Sequence, residues 1–128
     1  YAGWEMTPVW GMTTAARKET GTDRRVLPRS VIYDSQLTRT MPQSLAVASG
    51  FNAMAHCVEA FWAHGANPLT TLSAAEGMSA LSRGMRGILK ADVAETAHDD
   101  LLYGAYLAGS SFAVAGSGLH HKLCHTLG

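Results

Sequence analysis

Residues 44–63 read SLAVASGFNAMAHCVEAFWA, and this stretch decides the fold class of the chain. Its apolar residues recur at intervals of three and four, which is the spacing of one face of an α-helix. Pro42 lies just before it and suits a helix entrance, because proline has no N–H that would be left unbonded there. The stretch is also rich in Ala, Met and Leu, which favour helices. We therefore predict that this part of the chain is a helical domain.

The chain downstream of this helix continues the helical pattern. Residues 68–89 predict a second helix, despite three glycines that each disfavour a helix by about 1 kcal/mol relative to Ala. We expect Asp92 to cap a third helix, which runs through residues 101–115. Residues 116–118, Gly-Ser-Gly, interrupt the pattern, and a fourth helix is expected from Leu119.

The chain upstream has a different character. Residues 9–14 and 31–33 read as short strands, with a polar turn at residues 21–23 between them. The pattern changes near residues 35–42, where the helical part begins. The sequence therefore predicts a β-containing start followed by a helical remainder.

Charge and cysteine content narrow the function classes. Ten basic and ten acidic residues give a formal net charge of zero, which argues against nucleic-acid binding because that needs clustered positive charge. Cys57 and Cys124 suit a reducing cytoplasm better than a disulfide scaffold. A structural zinc site on these two thiols is an alternative, but the specific Cys-x2-Cys spacing is absent.

Residues 101–119 carry no charge and need to be weighed against a membrane span, which takes about 20 residues. Flanking acidic residues and internal serines favour a buried helix in a larger domain instead, so we expect no membrane partner. The chain starts without Met and stops beside a histidine-rich run. We therefore expect it to be part of a longer protein.

Histidines at helical spacing are the candidate site residues. Residues three and four apart share a helix face, so Asn52, His56 and Glu59 project from one side of the first helix. His121 and His125 project together from the last one. Two helices that present imidazoles to each other can build a metal site or an acid–base site. For His56 alone, a histidine that only packs in the core is the alternative.

Four segments resemble, in this order, motifs of the maleylacetate reductases in the iron-type alcohol dehydrogenase superfamily. They are YAGWEMTP at 1–8, VIYD at 31–34, SGFNAMAHCVEA at 49–60 and GLHHKLCHTLG at 118–128. The resemblance implies a dehydroquinate synthase-like fold, mostly α in this part. Residues 1–38 would end a dinucleotide-binding α/β domain, and residues 39–128 would begin an all-helical catalytic domain.

The implied function is NAD(P)H-dependent reduction of maleylacetate to 3-oxoadipate in the bacterial breakdown of chlorinated and other aromatic compounds. The resemblance also implies cofactor contacts through Gly3, Glu5 and Thr7, and a cytoplasmic enzyme that we expect to be a homodimer. We expect residues 1–128 alone to be inactive, because the glycine-rich diphosphate loop of the superfamily lies outside them.

The resemblance assigns roles to four more residues. Position 52, His56 and His121 match metal ligands of the iron-type alcohol dehydrogenases, and His125 matches a histidine near the nicotinamide. Asn52 replaces the usual Asp, as it does in maleylacetate reductases, and its neutral amide disfavours iron or zinc at His56 and His121. We therefore expect Asn52, His56, His121 and His125 to be catalytic, with a histidine protonating the enolate that follows hydride addition.

Two other functions remain open at this point. The first is a metal-dependent iron-type alcohol dehydrogenase that acts on a simple alcohol or aldehyde, which Asn52 and the motif at residues 1–8 disfavour. The second is a non-enzymatic helical interaction domain whose histidines are incidental. If the domain were non-enzymatic, the presence of histidines on matching faces of two helices would be a coincidence.

Overall fold

The computed structural model describes residues 3–15, 17–90, 92–121 and 123. The regular elements in this part of the chain are a β-hairpin and three long helices. Strands β1 and β2 span Val9–Thr13 and Lys18–Thr22, and helices α1, α2 and α3 span Gln43–Glu59, Pro68–Ile88 and Glu95–Ala115. Short 3-10 helices lie at Trp4–Met6, Arg24–Val26 and Ser35–Thr40.

The hairpin pairs β1 and β2 antiparallel, with Val9 opposite Thr22 and Thr13 opposite Lys18. The indole of Trp10 lies directly over the second strand. A Cβ on Gly21 would lie 2.6 Å from the Trp10 ring. Glycine at this position therefore lets the ring close over the strand.

The second strand is not where the sequence predicted it. Residues 31–34 have no regular structure, and the predicted turn at residues 21–23 is also wrong, because Gly21 and Thr22 belong to β2. The side chain of Ile32 is 91% exposed. A strand needs a hydrogen-bonded neighbour, and β1 obtains one from the nearer segment across a short connection.

The predicted helices are confirmed, with corrections at two ends. The first helix ends at Glu59 and not at Ala63. Asn67 caps α2: its side-chain oxygen accepts from the backbone N–H groups of Leu69 and Thr70, and the Thr70 hydroxyl accepts from the N–H of Asn67. The expected cap of α3 at Asp92 is wrong. That helix begins at Glu95, after Ala94, and no side chain caps it.

Glycines bring α2 and α3 into close contact. A Cβ on Gly84 would lie 2.7 Å from Cγ of Leu101, and a Cβ on Gly104 would lie 2.7 Å from Cγ of Leu81. Both leucines are fully buried between the helices. The same glycines that weaken a helix in isolation thus allow the two backbones to approach, and leucines fill the space that side chains would otherwise occupy.

The segment before α1 packs on α3. Gly3 has a φ of 74°, and a Cβ there would lie 2.9 Å from the Cα of Gly109. The rings of Tyr33 and Tyr106 meet edge to face with centroids 5.7 Å apart. The 3-10 helix Ser35–Thr40 crosses the predicted domain boundary after residue 38, and that boundary stays a prediction.

The length and apolar character of a helix determine whether it could span a membrane. Within the described ranges, no helix is long and apolar enough to cross a bilayer. Residues 116–118 leave the helical conformation after α3, as predicted, and residues 119–121 are helical again. This break in the helical conformation places His121 against α1.

Candidate functional site

The imidazoles of His56 and His121 lie face to face. His56 is near the end of α1 and is only 3% exposed. The two rings stack with centroids 4.4 Å apart and an interplanar angle of 21°. Phe112 of α3 contacts both rings, with centroids 4.6 Å from His56 and 5.5 Å from His121. The pair therefore lies where α1, α3 and the chain after α3 meet.

Asn52 borders this pair on the solvent side. It lies one turn before His56 in α1, is exposed, and places its amide nitrogen 3.5 Å from Nε2 of His56. The structure thus brings together Asn52, His56 and His121, the convergence expected from the helix faces. An amide can donate or accept at this distance, depending on which way its end is turned.

Glu59 lies behind the pair, three residues beyond His56. Its side chain is 1% exposed. The carboxylate accepts a hydrogen bond from the backbone N–H of His121 at 3.2 Å and contacts Nδ1 of the His121 ring. A Cβ on Gly118 would lie 2.7 Å from Oε1 of Glu59. The missing side chain at Gly118 is therefore what lets the chain approach the carboxylate.

The charge state of Glu59 follows from these contacts. Burial raises its pKa, but hydrogen bonds from the ring and backbone of His121 and from the backbone of Gly118 outweigh burial and hold the pKa below its ordinary value of 4.5. The carboxylate is therefore ionised at neutral pH. A buried charge needs such partners, because it is costly without them.

The sequence indicated no catalytic role for Glu59. The signal was present in the spacing, since Asn52, His56 and Glu59 share one face of the helix. What the spacing could not show is that this acid meets the ring of His121, which lies 62 positions further along the chain. His125, the fourth catalytic residue expected from the sequence, lies outside the described residues, as do Cys124 and Lys122.

The three residues expected near the cofactor make contacts within the chain. The space that a Cβ on Gly3 would occupy is filled by Gly109. The carboxylate of Glu5 accepts from the hydroxyl of Tyr33 at 2.8 Å. The Thr7 hydroxyl donates to the carbonyl of Trp4 at 3.0 Å. These contacts shape the turn that packs on α3, and a role of the turn in cofactor binding stays a prediction.

The types of donor atom at the site determine how well the site suits a metal ion. His56 and His121 offer imidazoles, which suit iron and zinc, but Asn52 offers a neutral amide where a carboxylate would add an anionic oxygen. Glu59, His120 and His121 have donor atoms within 4.8 Å of one another, but the carboxylate is already occupied by His121 and Gly118. Among the described residues, the two imidazoles and the amide of Asn52 therefore bring no anionic ligand of their own to the site.

Comparison with solved structures agrees with this fold. The iron-containing alcohol dehydrogenase from Corynebacterium glutamicum superposes with a TM-score of 0.91 at 55% identity, covering 100% of this chain and 36% of that one. The maleylacetate reductase from Rhizobium sp. strain MTP-10005 superposes with a TM-score of 0.92 at 42% identity, covering 100% and 37%. The predicted fold class, a mostly helical part of the iron-type alcohol dehydrogenase fold, is confirmed.

Sequence comparison identifies the family. The profile of the Fe-containing alcohol dehydrogenase family, C-terminal, matches residues 46–128, and the chain belongs to this family. Maleylacetate reductases of Sphingobium indicum and Burkholderia cepacia are each 48% identical to it over its whole length. The chain spans 36% of the length of these curated relatives.

Proposed function

We propose that this chain contributes to the active site of an NAD(P)H-dependent maleylacetate reductase, which forms 3-oxoadipate during the bacterial breakdown of aromatic compounds. The observation that carries the proposal is the convergence of His56 and His121 beside Asn52, a neutral amide. The identity of 48% with two maleylacetate reductases supports the same substrate.

The reaction adds one hydride and one proton across a carbon–carbon double bond. In maleylacetate this bond is conjugated with a ketone, so a nucleophile adds at the carbon β to the carbonyl. NAD(P)H supplies the hydride when it is bound. The electron pair of the double bond moves onto the ketone oxygen as an enolate. A proton delivered to the α carbon then restores the ketone and completes 3-oxoadipate.

The residues of the site match what the enolate needs. The imidazoles of His56 and His121 stabilise charge on the ketone oxygen by hydrogen bonds, and one of them delivers the proton. Asn52 adds a neutral donor at the exposed edge. Phe112 covers the rings with apolar surface, which excludes water and strengthens these electrostatic interactions. His125 is the alternative donor of this one proton.

The proposal includes no tightly bound metal. The negative charge on the enolate is met by hydrogen bonds, because the site offers neutral ligands at Asn52, His56 and His121. The proposal also places the enzyme in the cytoplasm, where NAD(P)H is supplied and thiols stay reduced. The homodimeric state of the complete enzyme stays a prediction.

The test is an assay of the complete enzyme with NADH or NADPH, offering maleylacetate and, separately, simple aldehydes. We expect turnover of maleylacetate, and a fall in kcat on the order of a hundredfold or more when the residue that serves as the proton donor is replaced by Gln. His56→Gln and His121→Gln are the variants to compare. His64→Gln is the matched control, since His64 is exposed in the loop before α2.

Two results would overturn the proposal. One is a complete enzyme that reduces simple aldehydes and ignores maleylacetate, which would favour the metal-dependent alcohol dehydrogenase. The other is full activity in both histidine variants, which would remove the pair from the chemistry.

A further inference from the structure

Tyr33 links the turn at residues 3–7 to helix α3. Its hydroxyl donates to Oε1 of Glu5 at 2.8 Å, and Glu5 lies within the turn. Its ring meets that of Tyr106 on α3 edge to face, with centroids 5.7 Å apart. One side chain, 28 residues downstream of Glu5, therefore contacts both the turn and the helix on which the turn packs.

The hydroxyl of Tyr33 remains protonated at neutral pH. Burial and the hydrogen bond to Glu5 raise the pKa of Tyr33 above its ordinary value of 10, because both disfavour the phenolate. The hydroxyl therefore stays a donor. A hydrogen bond from a hydroxyl to a carboxylate is stronger than one between two neutral groups, so this contact restrains Glu5 within the turn.

The turn lies against α3 with no side chain between the two backbones. A Cβ on Gly109 of α3 would lie 2.9 Å from the Cα of Gly3 and 3.1 Å from Cγ of Met6. Within the turn, the N–H of Met6 donates to the carbonyl of Gly3 at 3.2 Å. Tyr106 and Gly109 are three residues apart and share one face of the helix. Tyr33 and the glycine contact thus hold the turn on the same face of α3.

Helix α3 also carries the ring that packs on the histidine pair. Phe112 follows Gly109 by three residues, which is roughly 4.5 Å along the helix axis. Its ring contacts His56 and His121, with centroids 4.6 Å and 5.5 Å away. The turn at residues 3–7 and the histidine pair are therefore held at neighbouring turns of the same helix.

We propose that Tyr33 is a positioning residue that fixes the turn against α3, so that the turn holds NAD(P)H beside the histidine pair. The inference rests on the proposed function and on the predicted cofactor contacts of Gly3, Glu5 and Thr7. It adds a residue outside both sets that the sequence indicated, and this residue acts through the turn. Placement matters for hydride transfer, because a shift of about 1 Å can cost on the order of a hundredfold in rate.

Tyr33→Phe in the complete enzyme is the most discriminating variant. Phe keeps the ring that meets Tyr106 and removes only the hydroxyl that donates to Glu5. We expect amide hydrogen exchange of residues 3–7 to accelerate in the enzyme without cofactor, as measured by mass spectrometry of the peptide that contains them. We also expect NAD(P)H to bind more weakly in a fluorescence titration. Its single-turnover oxidation by maleylacetate should slow on the order of tenfold.

Three further variants separate this role from a general loss of stability. Tyr103→Phe is the matched control, because it removes a hydroxyl from an exposed tyrosine of α3, and we expect all three measurements to match the unaltered enzyme. Gly109→Ala would push Gly3 away from the helix, and we expect it to slow hydride transfer at least as much as Tyr33→Phe does. Gly104→Ala crowds α2 instead, and we expect its folded fraction to transfer hydride at the unaltered rate.

An unchanged single-turnover rate in either Tyr33→Phe or Gly109→Ala would overturn the inference, and so would an equal loss in Tyr103→Phe. Hydrogen exchange and NAD(P)H binding are measured without maleylacetate. If Tyr33→Phe loosens the turn and weakens NAD(P)H binding but the enzyme does not reduce maleylacetate, the proposed function fails while the positioning role stands. Unchanged exchange and unchanged NAD(P)H affinity would reject the positioning role as well.

Discussion

Cys57 lies on the buried side of α1, at the contact with α2. It is 0% exposed, and its sulfur is 2.9 Å from where a Cβ on Gly77 would lie. Burial raises the pKa of its thiol to about 12. Because zinc binds the thiolate, this environment works against the zinc site that the two cysteines allowed as an alternative. Cys57 is a packing residue.

Because the thiol of Cys57 is buried and neutral, we predict that it resists alkylation in the folded protein. At about pH 8 an ordinary thiol is partly ionised and reacts, but we expect Cys57 in the folded, complete protein to resist iodoacetamide. The same residue should react fully after unfolding in denaturant. Mass spectrometry of the peptide that contains Cys57 separates it from other cysteines. Rapid labelling in the folded state would contradict the buried, neutral thiol.

At the scale of elements, the contact between α2 and α3 depends on glycine. Gly104 on α3 faces Leu81 on α2, and a Cβ there would lie 2.9 Å from the backbone nitrogen of Leu81 and 3.0 Å from the carbonyl oxygen of Gly77. Backbone atoms cannot move aside as a flexible side chain can. The helices must separate to admit even a methyl group.

Gly104→Ala should therefore destabilise the complete protein by about 1–3 kcal/mol, the usual cost of overpacking a core, although Ala favours the helix by about 1 kcal/mol. Gly50→Ala in α1 is the matched control. Its methyl would lie 2.9 Å from the sulfur of Met85, which is at the flexible end of a side chain and can shift. Urea denaturation compares the two. Equal free energies of unfolding would argue against close backbone contact.

At the scale of the whole molecule, the proposed function needs more than the described residues supply. The described part supplies Asn52, His56, His121 and, behind them, Glu59. The chain spans 36% of the length of its curated relatives, and hydride transfer needs the cofactor held beside the substrate. That residues 1–128 alone are inactive stays a prediction, checked by assaying this polypeptide for NAD(P)H oxidation with maleylacetate.

The response of the complete enzyme to a chelator tests the metal-free mechanism. We expect activity to survive exhaustive chelation, with far less than one metal ion per chain, because Asn52 contributes no charge. Asn52→Asp should retain more divalent metal, since it restores an anionic ligand beside two imidazoles. Activity that vanishes and returns only with added iron or zinc would make His56 and His121 ligands and reject the mechanism.

By itself, the sequence determined the helices, the family resemblance and the shared faces of the histidine-bearing helices. These follow from local periodicity and from ordered motifs, both of which are readable along the chain. The tertiary structure decided that Lys18–Thr22 and not residues 31–33 pairs with β1. It also decided that glycines join α2 to α3 and that Glu59 meets His121. The physical reason is that pairing and packing join residues distant in sequence, and local propensity does not encode which distant partner a group will find.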